Sequence, residues 1–410
     1  MSGYLPGEAA YRRVTLSLSL AGVTTFALLY APQALLPELA EAFDVPAGQA
    51  ALSISVTTLV MAAALLGVGP LTERVGRTPV IIASVFATSI LGLCLALAPS
   101  WPALLAIRAA QGVALPGMAA VAMAYLREEI APEAHGQATG AYIGGTAIGG
   151  MLGRFVVGGV EPWAGWRWAL AAVGLVGLGC AIVVRLILPA SQGFRPAPRE
   201  AGGGHRTLRR LLTDPALVAL YGIGAVSMGA FIATFNTIGF RLREAPYSLG
   251  VAVSSLVYLA YAPGSAVAAY AGRLADRLGR RAVLPVAVAA MLAGLLLTLA
   301  TPLWVLLLGL TMFAGCFFGV HGLASGWVAA RAQLGGGGIG QATAFYLVAY
   351  YLGSSLFGWF GGRAWGNGGW PELVAVAGVL VTIALVLAWW LTRIPKLTEP
   401  PAADPGVTAY

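Results

Sequence analysis

Apolar residues in this chain come in long unbroken runs, and the charged residues cluster between them. Runs of about 20 apolar residues recur from end to end, the length an α-helix needs to cross a bilayer. Inside lipid every backbone N–H and C=O must bond within its own segment, which leaves helices or a closed barrel. Barrel strands alternate apolar and polar residues, whereas these runs are continuous, so the pattern predicts helices. Twelve are expected: 14–36, 49–71, 78–98, 102–125, 137–159 and 166–188, then 215–239, 249–271, 282–300, 303–328, 340–362 and 371–392. The first run follows Arg12 and Arg13, as a signal core would, but it is too long and lacks a clear small-residue cleavage site. It is therefore read as a membrane helix.

The pattern also repeats. GQATG at 136–140 returns as GQATA at 340–344, a shift of 204 that Trp166 and Trp370, and Arg127 and Arg331, share. GPLTERVGR at 69–77 returns as GRLADRLGR at 272–280, a shift of 203. Markers that keep register across loops predict two six-helix bundles of matching orientation, residues 1–188 and 215–410, joined by a linker at 189–214. Two parallel halves place a site between them that rocking of the halves exposes to one side at a time.

Charge adds the orientation. Only 10% of residues are charged, against about 25% in soluble domains. Of the 24 Lys and Arg, eighteen fall on one side, four on the other (Arg167, Arg241, Arg243, Arg363) and two inside helices (Arg108, Arg154). The positive-inside rule then expects both termini in the cytoplasm of a bacterial-type inner membrane. The net charge of +8 reports topology, not a nucleic-acid partner. The linker carries Arg195, Arg199, Arg206, Arg209 and Arg210, solvated or touching anionic lipid. Cys94, Cys180 and Cys316 sit in apolar runs without metal-ligand spacing, and the three histidines are scattered, so neither a disulfide nor a metal site is expected. No GK[ST] phosphate loop is present, and no cofactor is expected. An enzyme would show clustered His, Asp or Glu, and none is visible.

At this point a family resemblance covers both halves. GRLADRLGRR (272–281) resembles the full signature loop of the major facilitator superfamily, and GPLTERVGRT (69–78) the same motif with Glu73 and Thr78 as departures. RAAQG (Arg108, Gln111, Gly112) resembles a second motif of that family. WRW at 166–168 after a glycine-rich segment is similar to the drug–proton antiporter branch, and GVHGLASGW (319–327) to sugar or drug efflux permeases. The resemblance implies a monomeric secondary transporter, with proton-coupled efflux of a small organic solute as the leading mode. Uptake or facilitated diffusion of an organic anion is the alternative. It also implies a conformational latch at the signature loops: Gly69, Glu73, Arg74, Gly76, Arg77 and Arg127 in one half, Gly272, Asp276, Arg277, Gly279, Arg280 and Arg331 in the other. There the glycines permit a tight turn. Glu73 with Arg127, and Asp276 with Arg331, would close the inner side while the outer side is open.

Ionisable groups inside membrane helices are expensive and face the interior or a partner. Three are expected: Arg108, Arg154 and His321. For Arg108 two roles are open, coupling substrate or proton movement as the resemblance implies, or bonding backbone carbonyls of the first helix. Arg154 stands where many antiporters of the family have proline, so the bend linked to antiport is in doubt. Gly144, Gly145, Gly149, Gly150, Gly153, Gly158 and Gly159 make its helix thin along its length, and the arginine either faces the cavity, meets Glu38, or snorkels outward. His321 is the first candidate proton carrier, with Glu38 second. Candidate substrate contacts are Tyr30, Gln33, Arg108, Gln111, Arg154, Asn236, Tyr258, Tyr261, His321, Tyr346 and Tyr350. Two buried arginines without a deep carboxylate favour a neutral or anionic solute.

Overall fold

A computed structural model describes residues 3–192 and 204–395. Arg195, Arg199 and the tail from 396 onward lie outside the described residues. Among the described residues, ten spans are long and apolar enough to cross a membrane. We label them α1 (Ala9–Ala42), α2 (Ala47–Val75), α3 (Arg77–Ala96), α4 (Trp101–Glu129), α5 (Pro132–Ile187), α6 (Pro215–Arg243), α7 (Val251–Leu278), α8 (Arg280–Leu297), α9 (Leu303–Leu334) and α10 (Ile339–Leu391). α5 and α10 are each two membrane helices merged at a bend, which makes twelve crossings. α5 bends at Gly165 (φ 77°) and α10 at Gly368 and Gly369 (φ 65°). Gly165 and Gly369 stand 204 positions apart, each just before its tryptophan, so the bends obey the sequence repeat. The gap expected near 160–165 is helical instead: Glu161 and Pro162 continue the helix, and the chain turns only where a glycine accepts positive φ.

The turns α2–α3 and α7–α8 are built alike. Gly76 (φ 93°) and Gly279 (φ 87°) end one helix and start the next, a left-handed conformation that costs other residues strain. The face bearing these turns, here the basic face, also gathers both ends of the described chain. The Tyr4 amide donates to the Glu129 carbonyl (2.8 Å), and Arg281 donates to the Thr392 carbonyl (3.4 Å). A short helix, Gly204–Thr213, lies on this face, with Arg210 donating to the Gly337 carbonyl at 2.6 Å. The opposite face is called the far face below.

Glycine sets how closely the helices approach. A Cβ on Gly145 would stand 2.5 Å from the Ser19 carbonyl oxygen and one on Gly153 2.6 Å from that of Ala27, while Gly149 meets the Val23 carbonyl more tightly still. The stripe at i, i+4 and i+8 lays α5 backbone-to-backbone on α1. The thinning is one-sided, contrary to expectation: Gly144 and Gly159 face open space. The larger apolar core belongs to α6–α10 and takes in Leu29, Ile54 and Met61 of the first half.

The halves meet closely on the far face. Gly158 of α5 abuts Ser255 of α7, and a Cβ on Gly362 of α10 would stand 2.7 Å from the Cα of Gly48 at the start of α2. These two crossings again sit 204 positions apart on the long helices. Arg243 donates to Glu38 at 2.6 Å and lies 3.7 Å from Glu41, tying α6 to α1.

Candidate functional site

The break in α1 creates the first polar cluster. Its α-helix ends at Tyr30 and continues as a 3₁₀ turn over Ala31–Leu35. Pro32 has no N–H to give the Leu28 carbonyl, and the tighter turn withdraws Gln33 from Leu29. Arg108 supplies the missing donors. Its Nη1 donates to Leu28 O (3.1 Å), its Nη2 to Leu29 O (2.8 Å) and its Nε to Ser53 O (2.5 Å). Nη1 also donates to Gln111 Oε1 (2.8 Å), and Gln111 Nε2 reaches Thr88 O at 3.2 Å. Arg108 is 0% exposed. Of its two expected roles, the geometry shows the carbonyl-bonding one directly: three backbone carbonyls from two helices hold the guanidinium. Gln111 belongs to the same cluster.

The second cluster lies on the seam between the halves. The glycine stripe brings α5 against α1, and Arg154, one residue past Gly153, then reaches Gln33. Arg154 Nε donates to Gln33 Oε1 (3.0 Å), Nη2 contacts the same oxygen, and Nη1 the Gly150 carbonyl. Gln33 Nε2 in turn donates to Asn236 Oδ1 of α6 at 2.6 Å. Gln33 and Asn236 are repeat equivalents, 203 positions apart, joined across the pseudo-twofold axis. Three tyrosine faces surround the guanidinium: Tyr258 at 4.3 Å, Tyr30 at 4.8 Å and Tyr261 at 5.1 Å. These distances are in the cation–π range. The Tyr258 hydroxyl donates to Gln33 O and Phe235 O, 3.3 Å each. Arg154 is 1% exposed, so it does not snorkel. Nor does it meet Glu38, whose carboxylate is taken by Arg243. Among the described residues no carboxylate pairs with Arg154.

His321 occupies a third place, inside the second half. Its Nδ1 lies 2.9 Å from the Tyr346 hydroxyl, and its ring is 4.8 Å from Tyr350. Aromatic rings connect it to the seam: Tyr261 to Phe231 (5.1 Å), Phe231 stacked on Phe317 (4.1 Å), Phe317 stacked on His321 (6.3 Å). The expected contact residues thus fall into three groups. Tyr30, Gln33, Arg154, Asn236, Tyr258 and Tyr261 meet at the seam, His321, Tyr346 and Tyr350 meet at the other end of the aromatic row, and Arg108 with Gln111 stays within the first half. Sequence reasoning missed Arg243, the partner of Glu38. In the sequence it is one of four basic residues on the less basic side, and nothing local marks a contact between residues 205 positions apart.

The expected latch pairs are not joined in this conformation. Glu73 and Asp276 are exposed. Arg77 pairs with Glu128 (3.0 Å), and Arg331 with Asp214 (2.8 Å), the residue that caps α6. The contacts described between the halves, from Gly158–Ser255 and Gly362–Gly48 to Arg243–Glu38, close the far face.

The family model described as Major Facilitator Superfamily matches residues 18–270 and 247–408. The chain belongs to the Major Facilitator Superfamily. It is 37% identical over 393 residues to the MFS-type transporter YybF of Bacillus subtilis, covering 96% of each chain. It is 39% identical over 387 residues to the inner membrane transport protein YnfM of Escherichia coli, covering 94% of this chain and 92% of that protein. The multidrug resistance protein MdtL of Klebsiella pneumoniae is more distant, at 24% identity. Among solved structures, the fold matches the partially occluded inward-open xylose transporter XylE of E. coli with a TM-score of 0.73. Identity there is 15%, with 95% of this chain and 98% of that one covered. A bacterial Spinster homologue in an inward-facing conformation matches at 0.71, with 17% identity and 95% and 98% coverage. This superfamily member is therefore a multi-pass secondary transporter working by alternating access, and not an enzyme.

Proposed function

We propose that this transporter carries a small neutral or anionic organic solute out of a bacterial cell, through the inner membrane, in exchange for protons that enter down their gradient. Both termini and the basic face are cytoplasmic in this reading, and the protein works as a monomer. The observation that carries the substrate class is Arg154. A buried guanidinium on the seam, faced by tyrosines of both halves and lacking a carboxylate partner among the described residues, repels cations and welcomes an anion or a polar oxygen. Gln33, Asn236, Tyr30, Tyr258 and Tyr261 orient the solute beside it, and the aromatic row toward Tyr350 accepts its apolar part. His321, hydrogen-bonded to Tyr346, carries the proton, with Glu38 as second candidate. Arg108 and Gln111 support the site from behind through the α1 carbonyls. The signature loops, with Glu73, Arg127, Asp276 and Arg331, latch the basic face when the far face opens.

Transport in proteoliposomes tests this reading. Counterflow of a ligand panel sorted by charge is expected to show anions and neutral solutes exchanged and cations ignored; exchange of cations alone would end the substrate argument. His321→Ala is expected to keep counterflow while losing stimulation by a pH gradient, and a fully stimulated variant would remove His321 as carrier. Uncoupled movement of an organic anion is the second reading. It is favoured by the engagement of Glu38 with Arg243, which leaves the carboxylate nearest the interior tied to a cation. Wild-type transport indifferent to the pH gradient would select it.

A further inference from the structure

The two signature turns share a backbone but not an electrostatic environment. In the first half Arg77 is answered by a carboxylate, Glu128, at 3.0 Å. The repeat maps Arg77 onto Arg280, 203 positions on, and Glu128 onto Ala332, 204 positions on. The second half has therefore kept the arginine and lost its counter-ion. Thr78 maps onto Arg281, which adds a second cation, and Met123 onto Trp327.

What remains is a notch of about 310 Å³ between the α7–α8 turn and the basic-face end of α9. Arg280, Arg281, Arg331 and Trp327 line it, with Leu278 and Leu334 at its edges. Arg331 is satisfied by Asp214. Arg280 and Arg281 have only long bonds to carbonyls, 3.3 Å to Gly326 O and 3.4 Å to Thr392 O, and no carboxylate pairs with either among the described residues. Three guanidinium groups thus line one concave site, and only that of Arg331 has a carboxylate partner among the described residues. Leu278 is 63% exposed and Leu334 37%, so apolar surface continues outward from the cations. Two unpaired guanidinium groups in a pocket bind a phosphate well. A neighbouring apolar rim and an aromatic side chain at the membrane boundary are what a lipid adds to a phosphate.

We propose that this notch seats the phosphate headgroup of an anionic phospholipid, clamped by Arg280 and Arg281, with its acyl chains along Leu278 and Leu334. The lipid supplies the negative charge that Glu128 supplies in the first half. The site is separate from the seam and independent of which solute is carried.

Native mass spectrometry of the purified full-length protein tests it, with phosphatidylglycerol, phosphatidylcholine and glycerol 3-phosphate as probes. Wild type is expected to retain phosphatidylglycerol over phosphatidylcholine by about tenfold or more, since each arginine near a lipid phosphate favours it several-fold. The double variant Arg280→Gln/Arg281→Gln is expected to fall to the phosphatidylcholine level. Ala330→Glu, which sets a carboxylate in the wall of the notch while keeping both arginines, is expected to do the same, and it stands in if the double variant fails to fold. Equal retention of the two lipids by wild type overturns the proposal, as does a preference that survives in the folded variants. Displacement of the lipid by equimolar glycerol 3-phosphate overturns the lipid assignment and marks the notch as a site for soluble phosphate esters.

Discussion

At the scale of single residues, the two buried arginines differ in what they touch. Arg108 completes backbone hydrogen bonds that Pro32 leaves open, so its removal strands carbonyls of α1 in a dry interior. Arg108→Gln is therefore expected to destabilise the protein by about 2 kcal/mol or more, read as a lower melting temperature in detergent. Arg154 bonds mainly side chains and one carbonyl, and three tyrosine faces remain to close around a neutral replacement. Arg154→Gln is expected to lower the melting temperature less than Arg108→Gln, and to abolish counterflow of anionic solutes. An equal loss of stability in both variants would erase the distinction. Both arginines were legible in the sequence as costly charges inside apolar runs. The tyrosine cage was not, because Tyr30, Tyr258 and Tyr261 come together only when α1, α5 and α7 pack, and each alone is an ordinary aromatic residue in an apolar helix.

At the scale of elements, the sequence carried the repeat and the number of crossings but not the ends of the helices. Composition marks where lipid begins and does not mark where a helix stops, so helix continues through Glu161 and Pro162 beyond the apolar run. The glycines of α5 were visible as a group, yet only the backbone shows which of them touch anything. Gly149 faces the Val23 carbonyl and Gly144 faces open space. Gly149→Ala is expected to push α5 from α1 and cost about 1–3 kcal/mol. Gly144→Ala is expected to be neutral or to stabilise by up to about 1 kcal/mol, the ordinary gain of alanine over glycine in a helix. Thermal denaturation of the two variants, side by side, checks both.

At the scale of the whole molecule, closure of the far face rests on contacts between the halves that must part for the other state to form. Arg243–Glu38 is one of them, and it is partly exposed, so its contribution is modest. Glu38→Gln is expected to raise the reactivity of Ser255→Cys toward a membrane-impermeant maleimide applied at the far face by about threefold. The measurement belongs in a background with Cys94, Cys180 and Cys316 replaced by alanine; unchanged labelling would show that the ion pair does not hold this face shut. The complementary variant, Asp276→Asn, is expected to move the population toward the conformation seen here, measured as fewer cross-links between the halves at the basic face.

The glycine bends of α5 and α10 give each half a stiff hairpin lever. Helix runs without a loop to Gly165 and to Gly368, reverses there, and returns to the basic face. A displacement at the fulcrum beside Trp166 or Trp370 cannot be absorbed by slack chain, so it reaches the opposite end of the same lever undiminished. The two fulcrums stand 204 positions apart in the repeat, so each bundle carries a lever of the same build.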